Sequence, residues 1–289
     1  MPDSTHMAGK VVALWRYPVK SMMGEELNAT TVTPRGLLGD RAYALIDQET
    51  TRVASAKHPR KWPHLFDFRA AFVVPPQPEM PLPGVRIILP DGTILTTEQL
   101  DLNQVLSQAL GREVVLETAG RSQEEVLAFP FPTRVPTLAE AYWPDMERLN
   151  VRDTVIDFAL PEGTFFDCAT VHLLTTATLD RLRELYPAGR FEVRRFRPNI
   201  VVQNESGVSD FVENAWIGHT LAIGDEVRLA ITRPCTRCVM TTLPQGDLPS
   251  DSGILRTAAQ HNKVNVGVYA SVVAHGTIRR GDLIRVEER

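Results

Sequence analysis

Apolar runs in this chain are short, and turn residues close almost every one of them. VVALWRY at 11–17, ATTVTP at 29–34, YALID at 43–47 and FRAAFVV at 68–74 are matched in the second half by NIVVQ at 199–203, HTLAIGDEVRLAI at 219–231 and VGVYASVVAHGTIRRGDLIRV at 266–286. Short runs rich in β-branched and aromatic residues, bounded by Gly, Pro, Asn or Asp, form strands. Many short strands must pair with one another, and closing the sheet leaves no unpaired edge. The pattern predicts an α+β, mainly β fold: two β-barrel-like domains with a few helices. No repeat recurs at a period of roughly 20 to 50 residues, which excludes solenoids and propellers.

The strongest hairpin signal is VRIILPDGTILTT at 85–97, where Asp91 and Gly92 separate two apolar runs and glycine supplies the positive φ of a tight turn. Further strand pairs are expected to break at Gly224-Asp225, His275-Gly276 and Gly281-Asp282. PPQPEMPLPG at 75–84 has five prolines in ten residues and predicts an exposed, extended loop. Asp101 is placed to cap a helix carrying Leu102, Val105, Leu106, Ala109 and Leu110 on one face, with Gly111 at its end and the strand REVVLET after it. VHLLTTATLDRLRELYPAG at 171–189 reads as a strand passing into a helix, capped by Thr176 or Thr178, burying Leu179, Leu182 and Leu185 or Tyr186, and stopped by Pro187. From Gly120 to Phe165 periodicity is weak, with prolines at 130, 132, 136, 144 and 161, so this stretch is expected to be a long irregular connection. It divides the chain of 289 residues into 8–125 and 126–289.

Charge and cysteine content narrow the function. With 31 basic against 35 acidic residues, net −4, the chain lacks the basic field of nucleic-acid binders, and no apolar run is long enough to span a membrane. Neither nucleic acid nor membrane is an expected partner. Three cysteines, Cys168, Cys235 and Cys238, leave one odd thiol however they pair, which points to a reducing compartment, the cytoplasm by default. The first residues, MPDSTHM, lack the pattern of a targeting segment and are set aside from the fold.

The densest chemistry lies in RPCTRCVMTT at 233–242, where two thiols flank Arg237 just beyond a predicted strand. Guanidinium neighbours favour thiolate, the form that attacks electrophiles and binds metals. A zinc site would need further ligands at short spacing, and a thioredoxin-like pair would need a strand-to-helix junction where Val239 to Pro244 reads as strand and loop. Two buried core cysteines are the plain structural alternative. A second constellation is cationic: WRYPVKS at 15–21, GDR at 39–41 and RRFRPN at 194–199 each combine Lys or Arg with turn backbone, the chemistry that holds phosphates and planar anions. Each block taken singly is weak, because an isolated arginine is most often a solvated surface charge.

WRYPVKSMMGEEL, GLLGDRAYALID, FRPNIVV, CTRCVMTT and GVY followed by HGTIRRGDLIRV resemble, in this order and spacing, the MOSC family and, within it, the amidoxime-reducing components and bacterial two-domain MOSC proteins. The resemblance runs from about Val11 to Val286 and implies a MOSC-associated β-barrel domain over 8–125 followed by a MOSC domain over 126–289, with a cofactor cleft between them. It implies a molybdenum cofactor, a pyranopterin dithiolene with a terminal phosphate, whose metal takes one protein thiolate. That ligand maps to Cys238, as catalytic and metal-binding residue, and leaves Cys235 without an assigned role. Matching positions imply cofactor contacts at Lys20, Ser21, Arg41, Thr170, Arg197, Asn199, Thr236, Arg237 and Tyr269. Thr170 lies in a loosely matching segment and has packing at the strand start, beside Asp167 and His172, as its alternative; His172 reads as a core histidine. The implied activity is reduction of small N-hydroxylated compounds, hydroxylamines and amidoximes, with electrons from a separate ferredoxin-, flavoprotein- or cytochrome-type donor. Three cysteines are too few for an iron–sulfur cluster, and no segment is expected to hold pyridoxal phosphate. The alternative is a carrier of the cofactor, or of sulfur as a Cys238 persulfide, without turnover. LPQGDLPSDSGIL at 243–255 is expected to border the substrate entrance.

Overall fold

The computed structural model describes residues 6–119, 138–143, 154–161, 164–204 and 209–287. Seven strands close into a barrel in the order Ile200–Gln203, Val171–Thr175, Asn265–Ala274, Val227–Thr236, Thr220–Ile223, Leu283–Glu287 and His6–Arg16. The last of these returns to the first, with Leu14 opposite Ile200 on one side and Lys10 opposite Leu283 on the other. Alternate residues point inward: Val11, Leu14, Val171, Leu173, Ile200, Val202, Leu221, Ile223, Leu229, Ile231, Val268 and Ile284 form one core. The pairs among these strands are antiparallel except that of Val171–Thr175 with Ile200–Gln203. Parallel neighbours need a crossover, supplied by the helix Thr176–Leu185. Its Leu179 and Leu182 pack with Phe191, Phe196, Ile254 and Ala258 in a helical layer outside the barrel.

The first half builds a second β unit. Arg69–Phe72, Val85–Ile88 and Ile94–Thr96 form one sheet, with the 85–97 hairpin as expected: Ile87 faces Leu95, and Gly92 takes φ 87°. Tyr43–Asp47 pairs with Val114–Thr118, and the helix Leu102–Leu110 lays Leu102 and Leu106 on a core of Leu45, Leu65, Phe66, Phe68, Val85 and Ile87. Residues 75–84 run as exposed coil apart from half-buried Pro76, Pro83 and Gly84.

Several expectations need correction. The 125/126 boundary lies outside the described residues, and strand pairing does not respect it: His6–Arg16 completes the barrel of the second half. Conversely, Leu138–Trp143 and Thr154–Ala159, expected as irregular chain, form a hairpin whose Ala139 pairs with Val53 of the first half. Alternation over TVIDFA is weak because nearly all of that strand is exposed, and over LAEAYW because Ala141 and Tyr142, adjacent in sequence, are both buried. The breaks at 275–276 and 281–282 are not hairpin turns: Gly276–Arg279 pairs with Ala29–Thr33, while Leu283–Glu287 joins the barrel. Thr175, rather than the expected Thr176 or Thr178, caps the helix by accepting from Thr178 N at 3.1 Å. Val239–Thr242 is a 3₁₀ turn rather than strand, and a helix, Ser252–Asn262, starts inside the expected entrance loop with Asp251 as its cap.

Candidate cofactor site

Loops from both β units meet at the end of the barrel strand His6–Arg16. The chain leaves that strand through Tyr17, Lys20 and Ser21, and Asp40 fixes the exit by accepting from Tyr17 N at 2.8 Å. Asp40 also pairs with Arg41 and accepts from Asn199 Nδ2 at 2.9 Å, while Asn199 Oδ1 accepts from His172 N at 3.1 Å. Asn199 thus ties the barrel wall to the GDR turn. The Arg41 and Arg197 guanidiniums lie 4.7 and 4.1 Å from the centre of the Tyr17 ring. Arg197 donates to Met22 O at 2.7 Å; burial, opposed by the neighbouring Tyr17, lowers it to about 10.

Lys20 donates to Phe165 O at 2.8 Å and pairs with Asp167, which Lys57 also reaches at 3.0 Å. Burial would raise the Asp167 carboxyl; Lys20 and then Lys57 outweigh it and hold the group well below the usual carboxylate range. Burial would lower the Lys57 ammonium, but the Asp167 carboxylate beside it outweighs that and raises it. Cys238 is half-buried, Cys235 fully buried and Cys168 exposed. Arg237 donates to Cys235 Sγ at 2.6 Å and to Phe196 O at 2.9 Å, and its backbone N donates to Val264 O at 2.8 Å. Burial opposes the Arg237 charge, but Cys235, Tyr269 and Cys238 more than offset it.

The structure brings Lys20, Arg41, Arg197, Asn199, Arg237, Cys238 and Tyr269 into this region. Ser21 turns its Oγ to accept from Ala56 N at 3.0 Å, linking YPVKS to the Lys57 loop. Thr236 is exposed and bonds Asn265 Oδ1 at 3.0 Å. Thr170 lies at the start of its strand against Gly36, where an added Cβ would come within 2.6 Å of the Thr170 carbonyl oxygen. His172 is buried, with Nε2 3.1 Å from Val266 O, as a satisfied core histidine. Gly267, at φ 81°, is required here because a Cβ would stand 2.4 Å from His172 Nε2. Tyr17, Asp40 and Asp167 lie inside or beside the motifs read from sequence but went unassigned. Lys57 carries no local signal, because only tertiary packing brings its loop to the site.

Two observations bear on whether a polyanionic cofactor fits. Arg237 Nε is buried without a hydrogen-bond partner, a donor left for a group outside the protein. Ser21, Arg41, Arg197 and Val264 all adopt positive φ, 49–64°, and for β-branched Val264 that is a strained conformation. Such strain gathers where backbone is shaped around a ligand. Among the described residues no three His, Cys, Asp or Glu side chains converge to hold a metal unaided. A metal bound chiefly by a cofactor's own sulfurs, with Cys238 as one soft protein ligand, is compatible with this donor set.

The chain belongs to the MOSC family: the MOSC N-terminal beta barrel domain matches residues 8–80 and the MOSC domain residues 161–285. Among characterised proteins it is similar to the mitochondrial amidoxime reducing component 2 of Bos taurus, 26% identical over 95% of this chain and 82% of the relative. It is likewise similar to the mitochondrial amidoxime-reducing component 1 of Homo sapiens, 27% identical over the same shares. Among solved structures, the YUAD protein from Bacillus subtilis aligns over 99% of this chain and 98% of its own at 11% identity, with a TM-score of 0.45. Among the described residues no helix is long and apolar enough to cross a membrane.

Proposed function

We propose that this protein is a molybdenum-cofactor-dependent reductase of N-hydroxylated compounds, with Cys238 as the protein ligand to the metal. The observation that carries the reading is the charge around the half-buried thiol's site: among the described residues, Lys20, Arg41, Arg197 and Arg237 stand against Asp40 and Asp167. Cations in excess of carboxylates suit a ligand with a phosphate and anionic sulfurs. The unpartnered Arg237 Nε and the Arg41–Asn199–Asp40 network supply oriented donors for such a ligand. The similarity to amidoxime-reducing components supports the same chemistry.

When bound, the cofactor would supply two-electron redox chemistry, in which R–NHOH, two electrons and two protons become R–NH₂ and water. The protein's own contribution is binding and orientation. Cys238 would donate sulfur to the metal; Arg41, Arg197 and Arg237 would hold the anionic parts; Lys20 and Asp167 would fix the loop that closes the site beside Cys168. A separate electron-donor protein would supply the electrons. The three free thiols suit a reducing compartment such as the cytoplasm.

The test is metal analysis of protein from a host that makes the cofactor. Near-stoichiometric molybdenum is expected in the wild type; it should vanish in Cys238→Ala and be largely kept in Cys235→Ala, whose sulfur is turned toward Arg237. Equal loss in both variants would mean a shared two-thiol site. Molybdenum without amidoxime turnover would favour a carrier.

A further inference from the structure

We propose that Lys57 and Arg233 make the mouth of this site selective for N-hydroxylated substrates that also carry an anionic group, a carboxylate or a phosphate. The inference rests on the function proposed above and names its substrate class. Lys57 and Lys20 share the single carboxylate of Asp167. Lys20 is 6% exposed and also bound to Phe165 O, whereas the Lys57 side chain is 18% exposed. Lys57 is therefore the outer of the two cations, and one carboxylate cannot neutralise both. Its position is built in: Tyr142 N donates to Lys57 O at 2.8 Å, and the ammonium lies 4.3 Å from the centre of the Phe158 ring. Its ammonium reaches Asp167 at 3.0 Å, and the next residue is the exposed Cys168, so Lys57 stands beside that thiol.

Arg233 comes from the barrel strand Val227–Thr236, two residues before Cys235. Its Nη2 donates to Cys168 O at 3.1 Å and its guanidinium lies 5.4 Å from the centre of the Tyr269 ring. Neither contact is to a carboxylate, and among the described residues Arg233 makes no ion pair. Arg233 is exposed, so its charge is available to a ligand arriving at Cys168. Arg233 is exposed and Lys57 reaches Asp167 from outside Lys20, so both are open to a substrate as it enters. An ammonium and a guanidinium beside one entrance attract an anion and can hydrogen-bond it, and guanidinium matches carboxylate or phosphate in a fork.

Two measurements on the full chain test this. In protein prepared without cofactor, Cys238 and Cys168 are alkylated with iodoacetate and with its neutral isostere iodoacetamide, and each site is quantified by peptide mass spectrometry. The iodoacetate-to-iodoacetamide rate ratio is expected to exceed that of 2-mercaptoethanol by about tenfold at the mouth. It should fall severalfold in Lys57→Gln and in Arg233→Gln, stay high in Lys57→Arg, and collapse in strong salt. In the loaded enzyme, 4-carboxybenzamidoxime is expected to outrun benzamidoxime by about tenfold in kcat/KM, with the difference carried in KM and lost in both Gln variants. An alkylation ratio no higher than that of the small thiol, or equal use of the two amidoximes by the wild type, overturns the inference. Turnover of neither amidoxime by molybdenum-loaded protein, with the alkylation ratio still high, would instead overturn the proposed reductase activity.

Discussion

His172 shows how burial and charge set the behaviour of one side chain. Burial first, and then the nearby Arg237 charge, push its imidazole down to about 3, and Nε2 is satisfied by Val266 O. Between that value and its ordinary value of 6.5 the unfolded chain binds a proton that the folded chain does not. Stability therefore rises with pH through this window: it is complete above the unfolded value and declines as pH falls toward 3. Denaturant titrations between pH 7 and 4 should show a decline of up to about 1.4 kcal/mol per pH unit from this group. His172→Asn should flatten that slope, and an unchanged slope in the variant would sink the assignment. Asp167 behaves separately, since its depressed carboxyl stabilises the fold above the unfolded value of about 4 and loses that contribution only below it. At this scale the sequence carried the cationic blocks and the CxxC thiols. It did not show how Asp40 and Asp167 order those cations, because Asp167 meets lysines from remote segments and Asp40, although next to Arg41, is fixed by the distant Tyr17 and Asn199.

Arg195 acts on a whole segment. It is completely buried, and its guanidinium donates to Arg190 O at 2.9 Å, Thr241 O and Leu243 O at 3.1 Å and Pro249 O at 2.8 Å. No residue in this set is a carboxylate, so the bonds serve to gather backbone. They pin the chain just after Cys238, while Asp247 at the tip of the same segment is held by Arg190 at 2.8 Å and Arg194 at 2.5 Å. The entrance loop expected over 243–255 is thus a fastened strap running into the helix Ser252–Asn262. Arg195→Met strands these carbonyls and should cost at least about 2 kcal/mol in a denaturation experiment. Asp247→Ala, which loses only solvent-screened pairs, should leave the denaturation midpoint nearly unchanged. In the sequence Arg195 is one of three arginines in RRFR and indistinguishable from its neighbours. Only the tertiary fold turns it inward.

On the scale of the molecule, the first strand decides whether the barrel exists. His6–Arg16 closes the ring between Ile200–Gln203 and Leu283–Glu287, and its Ala8, Val11 and Leu14 lie in the barrel core. Removing it exposes two strand edges and a core face at once. A fragment starting at residue 126 should therefore lack a cooperative unfolding transition and aggregate. Adding residues 6–16 as a separate peptide should restore some native signal by pairing into the gap. A fragment 126–289 that melts cooperatively alone would contradict the barrel order. The site obeys the same logic, since Lys20, Arg41 and Lys57 come from the first half of the chain and Arg197, Arg237 and Cys238 from the second.

The sequence alone determined the mainly β character, the 85–97 hairpin, the helices Leu102–Leu110 and Thr176–Leu185, and the cationic and thiol motifs. All of these are written in residues close together along the chain: strand alternation, the turn glycine Gly92, the helix-ending Gly111, the helical spacing of leucines and ordered motifs. Tertiary structure alone decided the pairing of His6–Arg16 with the far end of the chain, the hairpin of Leu138–Trp143 with Thr154–Ala159, and the inward turn of Arg195. It also decided the arrival of Lys57 beside Asp167. Each depends on partners tens to hundreds of residues away, where local propensity carries no information and the closing of strands and the balance of buried charge choose the arrangement.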